Sequence, residues 1–168
     1  MPMTHTYLFE PGIWTGRGTF WREDGEPLPA ECRTEVAHRD DCWLTCATLK
    51  VLGAPPVEFL TACQIQPPGR KGACLTWTSE NATLGKLQGT YSVLENCIVS
   101  VYRCNGSGYH GAEHYGRIDA ERYAAAGVLL LEARRLSSWE LLLTRERATA
   151  SSADSERSAA PRTATSGS

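Results

Sequence analysis

Residues at the two ends of the patterned region allow the first and last segments of the chain to pair. Gly12-Ile13-Trp14 stands at the start of a run of short segments in which apolar and polar residues alternate, and Arg145 stands at its end. Alternation with a period of two is typical of β-strands that bury one face. Because a sheet whose first and last strands pair has no free edge, the pattern predicts a closed β-barrel.

Clusters of Gly, Pro, Asn and Asp divide this region into about ten segments, most of them joined by connections of hairpin length. The predicted strands are residues 13–22, 29–38, 42–52, 57–66, 73–79, 85–94, 97–104, 109–118, 122–132 and 136–146. The predicted fold class is all-β, an antiparallel up-and-down barrel. Residues 2–9 form either an extra strand or a lid over one barrel end, and residues 80–84 form either a kink or a turn.

Length and composition indicate one soluble domain. A chain of 168 residues with 42% hydrophobic and 21% charged residues can build a single core, which we assign to residues 1–146. From Arg147 onward the residues are small or polar. Such a segment cannot bury enough apolar surface to offset its ordering entropy, so we predict that residues 147–168 are disordered.

Charge and hydropathy exclude several partners. The formal net charge is −2, and we find no basic stripe, so no nucleic-acid partner is expected. No run approaches the roughly 20 apolar residues that span a bilayer, so no membrane span is expected. The amino terminus lacks the charged and apolar regions of a secretory signal, and we therefore predict a cytoplasmic protein.

The seven cysteines are expected to be reduced and mostly buried. Their number is odd, and none of their spacings is Cys-x-x-Cys. Cys42 and Cys46 would lie about 13 Å apart on one face of a strand, too far for one tetrahedral metal ion. Free cysteine packs as a small apolar residue, so we predict core positions and no metal site.

The segment from His110 to His114 matches His-x-x-Glu-His, the zinc-binding pattern of inverzincin proteases. The surrounding glycines disfavour the helix that this chemistry requires, and on a strand Glu113 points away from both histidines. The strand has two different faces, one with His110 and His114 and the other with Tyr109, Glu113 and Tyr115. Either face would bring ionisable groups into a barrel interior, and the sequence leaves the choice open.

The ends of the barrel can be assigned by register. If Trp14 points inward, Gly16, Gly18 and Phe20 follow it. In the last strand the set containing Arg145 is apolar: Trp139, Leu141 and Leu143. Trp14 and Arg145 would then meet across the closing seam, where a guanidinium can stack on an indole.

A Gly-x-Trp motif on the first strand, Gly12 to Trp14, with Arg145 at the end of the last strand, resembles the pattern of the calycin superfamily. This superfamily contains lipocalins, fatty-acid-binding proteins and nitrobindin-like barrels. The resemblance implies a lumen that holds a small, largely apolar molecule, with Trp14 and Arg145 as structural residues that close one barrel end. The nitrobindin-like branch binds haem through a histidine near its last strands. No histidine follows His114, so we expect no haem. We expect no other cofactor.

Aromatic and ionisable residues on the predicted strands are the candidates for a ligand-binding wall. They are Trp43, Trp77, Tyr91, Tyr102, Glu113, His114 and His38. The expected function is a carrier or sensor of a small apolar or aromatic molecule. One alternative is a small cyclase or isomerase that uses Glu113, His114 or Tyr102 as acid or base. The other is a barrel filled by its own side chains, with a structural or interaction role.

Overall fold

The computed structural model describes residues 4–23, 25–68 and 74–147, which form an all-β barrel with no helix among them. Every predicted strand is confirmed, with boundaries within a residue or two. The strands are β1 (Gly12–Arg22), β2 (Leu28–His38), β3 (Trp43–Val51), β4 (Val57–Ile65), β5 (Cys74–Asn81), β6 (Gly85–Val93), β7 (Cys97–Cys104), β8 (Tyr109–Arg117), β9 (Arg122–Leu131) and β10 (Arg134–Arg145).

The strands follow one another around the barrel in sequence order, and each pairs antiparallel with the next. β1 pairs antiparallel with β10, which closes the sheet. The predicted up-and-down topology is therefore confirmed. Within the predicted kink or turn at residues 80–84, residues 80 and 81 end β5 and residues 82–84 form a hairpin turn, in which the Asn81 side-chain oxygen accepts hydrogen bonds from the backbone N–H groups of Thr83 and Leu84.

Trp14 and Arg145 meet at the closing seam as the register predicts. They are directly paired between β1 and β10, and Trp14 is fully buried. The Arg145 guanidinium lies 5.9 Å from the indole centroid, within the range of a cation–π contact. It also donates to Glu10 Oε2 at 2.6 Å and to the Pro11 carbonyl at 3.0 Å. One side chain thus ties the last strand to the residues that precede the first.

The amino-terminal segment closes the barrel end that carries Trp14 and Arg145, which we call the closed end. In its described part, residues 4–11, the chain forms a turn and no strand, which favours the lid over the extra strand. His5 Nε2 donates to the Leu94 carbonyl at 2.8 Å, and Thr6 Oγ1 donates to the Ala120 carbonyl at 2.7 Å. Tyr7 and Leu8 belong to this turn, and both are buried.

The cysteines divide between the interior and the surface. All seven thiols are free. Cys63 and Cys104 are buried, and Cys32, Cys42 and Cys97 are half-buried. The predicted core position is wrong for Cys46 and Cys74, which are exposed. Their neighbours along each strand point inward, and the alternation of a strand puts these two thiols on its outer face.

Two further predictions concern the carboxy-terminal tail and a membrane span. Residues 148–168, nearly all of the tail predicted to be disordered, lie outside the described residues. Within the described residues, no helix is long and apolar enough to cross a membrane.

We expect Arg145→Met to lower the free energy of unfolding by about 2 kcal/mol, because it removes a cation–π contact and two charge-assisted hydrogen bonds at the seam. Urea denaturation measures this loss. Arg17→Met on β1 is the control, since Arg17 is exposed and its ion pair with Glu31 spans 3.5 Å. The control is expected to cost less than about 0.5 kcal/mol. Equal losses in the two variants would show that the seam has no special role.

Candidate ligand cavity

The barrel lumen contains a cavity of about 220 Å³ to which all ten strands contribute side chains. Tyr7 from the amino-terminal lid forms its floor at the closed end. At the opposite end, Phe59 lines the cavity and is 42% exposed to solvent, so the cavity opens there. A buried apolar cavity of roughly 150 Å³ accepts benzene. The lumen therefore has room for one ring with a short chain.

Three aromatic side chains of the wall lie over glycines that face them on the neighbouring strand. The pairs are Trp77 with Gly89, Tyr102 with Gly111, and Trp139 with Gly127. A Cβ at Gly89 would come within 2.6 Å of Trp77 Cε2, and one at Gly111 within 2.5 Å of Tyr102 Cζ. The missing side chains let the rings lie against the wall, which leaves the centre of the barrel open.

Strand β8 presents Glu113 to the cavity, which resolves the choice that the sequence left open. Tyr115 is buried, Glu113 lines the cavity, and His114 between them is exposed on the outer face. The Tyr115 hydroxyl donates to Glu113 Oε2 at 2.9 Å. Burial raises the pKa of Glu113, and the hydrogen bond from Tyr115 opposes that rise.

The other ionisable groups of the wall are thiols and phenols that stay neutral near pH 7. Desolvation raises the pKa of Cys32 and of Cys63 to about 11. Burial and the Glu113 charge both raise the pKa of Tyr7 and of Tyr102. No Lys, Arg or His is found among the described residues of the wall. Glu113 is therefore the group of this wall that titrates at the lowest pH.

Four of the predicted wall residues lie where the sequence places them. Trp77, Tyr91, Tyr102 and Glu113 all line the cavity. Trp77 packs against both tyrosines with ring centroids 5.9 Å apart, and its indole N–H donates to Ser100 Oγ at 3.2 Å. The structure thus brings these four together, and their roles in binding remain predictions.

Three predicted wall residues do not line the cavity, so their predicted positions are wrong. His38 and Trp43 stack on each other at the closed end, with centroids 4.1 Å apart, and His38 Nε2 donates to the Leu8 carbonyl at 2.7 Å. The Phe9 ring of the lid packs edge-on against Trp43 at 5.4 Å, and neither His38 nor Trp43 lines the cavity. His114 is exposed because its neighbour Glu113 points inward.

Sequence reasoning missed Tyr7 as a wall residue. It belongs to no strand, so strand alternation carries no information about where it points. Alternation in the last strand predicts Trp139 on the inward face, but the predicted wall residues do not include it. Its signal is the glycine that faces it, since a ring opposite an inward glycine can lie against the wall.

The residues of the His-x-x-Glu-His pattern do not converge on one point. His110 and His114 alternate with the inward residues of β8, and Glu113 faces the cavity. His110 Nδ1 is 3.1 Å from the Gly108 carbonyl. Across the described ranges, no group of three or more His, Cys, Asp or Glu side chains is arranged to hold a metal ion.

Comparison with known proteins gives little on this chain. No family model matches it, and no curated protein matches it. Among solved structures, it is similar to an N-terminal dehydratase from the difficidin assembly line, at 13% sequence identity and a TM-score of 0.26. The match covers 84% of this chain and 80% of that one. A likeness with this TM-score supports no statement about function, so function is inferred from the cavity.

We expect Gly127→Ala to lower the free energy of unfolding by about 1–3 kcal/mol, because the added methyl group meets the Trp139 indole. In a Trp139→Leu background the same change is expected to cost much less, since the ring is gone. Urea denaturation of the four proteins in this cycle measures the difference. An equal cost in both backgrounds would mean that the ring does not depend on the glycine.

We expect Glu113→Gln to stabilise the protein above the native pKa of Glu113. The native pKa is raised, so the native state binds more protons than the unfolded state between the two pKa values. The free energy of unfolding of the wild type therefore falls as pH rises from the unfolded-state pKa to the native-state pKa of Glu113. The Gln variant does not lose this free energy, so its relative stabilisation appears between the two pKa values and persists above them. Denaturation at pH 4 and pH 8 measures the gain. His114→Gln, on the outer face, is the control, and a Gln variant less stable than wild type at pH 8 would contradict the assignment.

Proposed function

We propose that this protein binds a small, largely apolar or aromatic molecule in the barrel lumen, as a carrier or sensor. The observation that carries the proposal is the hollow of about 220 Å³ with an aromatic wall and an opening at one end. An interior built only for stability would be filled by its own side chains, since unfilled space costs packing energy. The open lumen thus favours ligand binding over the filled, structural barrel.

The chemistry of the wall supports a ligand with an aromatic or apolar body. Trp77, Tyr91 and Trp139 offer ring surface, and Leu141 and Leu143 offer aliphatic surface. Hydroxyl groups of threonines and tyrosines and one carboxyl supply the few polar anchors that such pockets use for orientation. This ligand class agrees with the calycin resemblance, which we retain as part of the proposal.

The cellular setting belongs to the same proposal. Seven free thiols suit a reducing compartment, and we infer a cytoplasmic location. The net charge of −2 offers no general attraction for nucleic acid, so a small molecule is the expected partner.

A second candidate is an enzyme that isomerises or cyclises an enclosed substrate. Glu113 favours this reading, because its carboxyl group lines the cavity with a raised pKa, as acid–base residues often do, and it accepts a hydrogen bond from Tyr115. A bound molecule recovered unchanged after long incubation supports the carrier. Turnover that is lost in Glu113→Gln and Tyr102→Phe without loss of affinity supports the enzyme.

Native mass spectrometry of the isolated protein tests ligand binding in the lumen. We expect a co-purified mass that is lost in Ala125→Leu, because Ala125 lines the cavity and the larger side chain occupies it. Ala124→Leu is the matched control, since Ala124 is exposed on the outer face of the same strand. A mass that is retained equally by both variants would place the ligand outside the lumen.

A further inference from the structure

We propose that the ligand of the lumen carries a protonated amine, and that Glu113 receives it. This inference rests on the proposed lumen-binding function and names the chemical class of the ligand. The class is a small aromatic or apolar body with one amine on a short chain. Three features of the cavity carry the inference: its charge, its aromatic surface and the hydrogen bonding of Glu113.

The charge of the cavity favours a cation. Glu113 contributes a carboxyl group to the wall, and no described residue of the wall contributes a Lys, Arg or His. A ligand with a carboxylate would find no opposite charge here and would be repelled by ionised Glu113. A ligand with an ammonium group meets an opposite charge in a low-dielectric interior, where the attraction is less screened than in water.

Aromatic rings line the cavity that holds the carboxyl group, and they add to the same preference for a cation. The ring centroids of Tyr7 and Tyr115 are 4.8 Å apart, and Trp77 lies 5.9 Å from Tyr91 and from Tyr102. The π faces of such rings attract ammonium groups, and several rings around one site form an aromatic cage. Tyr7, Tyr91, Tyr102 and Tyr115 line the same cavity as Glu113, and the Glu113 charge contributes to the raised pKa of each of them.

Glu113 keeps hydrogen-bonding capacity for a ligand. Tyr115 donates to Oε2, and a carboxylate accepts several donors through its two oxygens. An ammonium group brings three donors on a single point of charge. Since Tyr115 lies on the same strand, it can hold the carboxyl group in place while the ligand binds from the lumen.

The titration of Glu113 gives amine binding a pH dependence with a definite sign. The other ionisable side chains that line the cavity with Glu113 are Tyr7, Cys32, Cys63, Tyr91, Tyr102 and Tyr115, and burial raises the pKa of each of them. They remain neutral while Glu113 ionises. Amine affinity therefore increases as pH rises through the pKa of Glu113, and it is weak below that pKa because the protonated carboxyl group carries no charge.

Three probes with the same ring separate this inference from the broader proposal. They are 2-phenylethylamine, 2-phenylethanol and phenylacetate, each titrated into the full-length protein at pH 7.5 by isothermal calorimetry. The amine is expected to bind at least about tenfold more tightly than the alcohol or the carboxylate. Glu113→Gln is expected to lower amine affinity by about tenfold or more and to leave alcohol affinity nearly unchanged. His114→Gln is the control and is expected to bind all three probes as wild type does.

Each result supports or overturns a distinct claim. Binding of the alcohol or phenylacetate as tight as that of the amine, with no effect of Glu113→Gln, overturns the amine inference and leaves lumen binding intact. Failure of all three probes contradicts the amine inference and the lumen-binding proposal together. If Glu113→Gln does not fold, the pH dependence of probe binding to the wild-type protein tests the amine inference. Amine affinity must rise with pH through the Glu113 titration while alcohol affinity stays flat, and two flat profiles would overturn the inference.

Discussion

The pairing of β1 with β10 is the interaction on which the other features of this protein depend. Without it the sheet has two open edges and encloses nothing. The seam is held by a backbone ladder from Trp14 and Arg145 to Arg22 and Ser137, and by the Arg145 guanidinium, which lies over the indole and bonds Glu10 and the Pro11 carbonyl. The same contacts fix the residues that lead into the lid, so barrel closure and the closed end form together.

Closure alone does not produce a cavity, because large side chains can fill a barrel of this size. Here the rings of Trp77, Tyr102 and Trp139 lie over inward-facing glycines, and the centre remains open. Into this opening β8 directs one carboxyl group, whose burial lowers the stability of the fold in its ionised form. In the proposed function, this carboxyl group is a polar anchor for the ligand.

The fold followed from the sequence because its signals are local. Turn residues mark the connections, and alternation marks the faces, so ten strands and the meeting of Trp14 with Arg145 were predictable. The wall was predictable only in part. His38, Trp43 and His114 have the chemistry of binding residues, but the lid packs against the first two and the phase of β8 turns the third outward. The position of the lid and the phase of β8 both depend on long-range packing, which no local pattern encodes.

A crystal of the protein pressurised with xenon tests most directly whether the barrel encloses an open lumen, because xenon occupies apolar cavities large enough to hold it. We expect a xenon atom inside the barrel, beside Leu141 and Leu143, with the three rings over their glycines. Density for rings that fill the lumen, with no xenon inside, would contradict it.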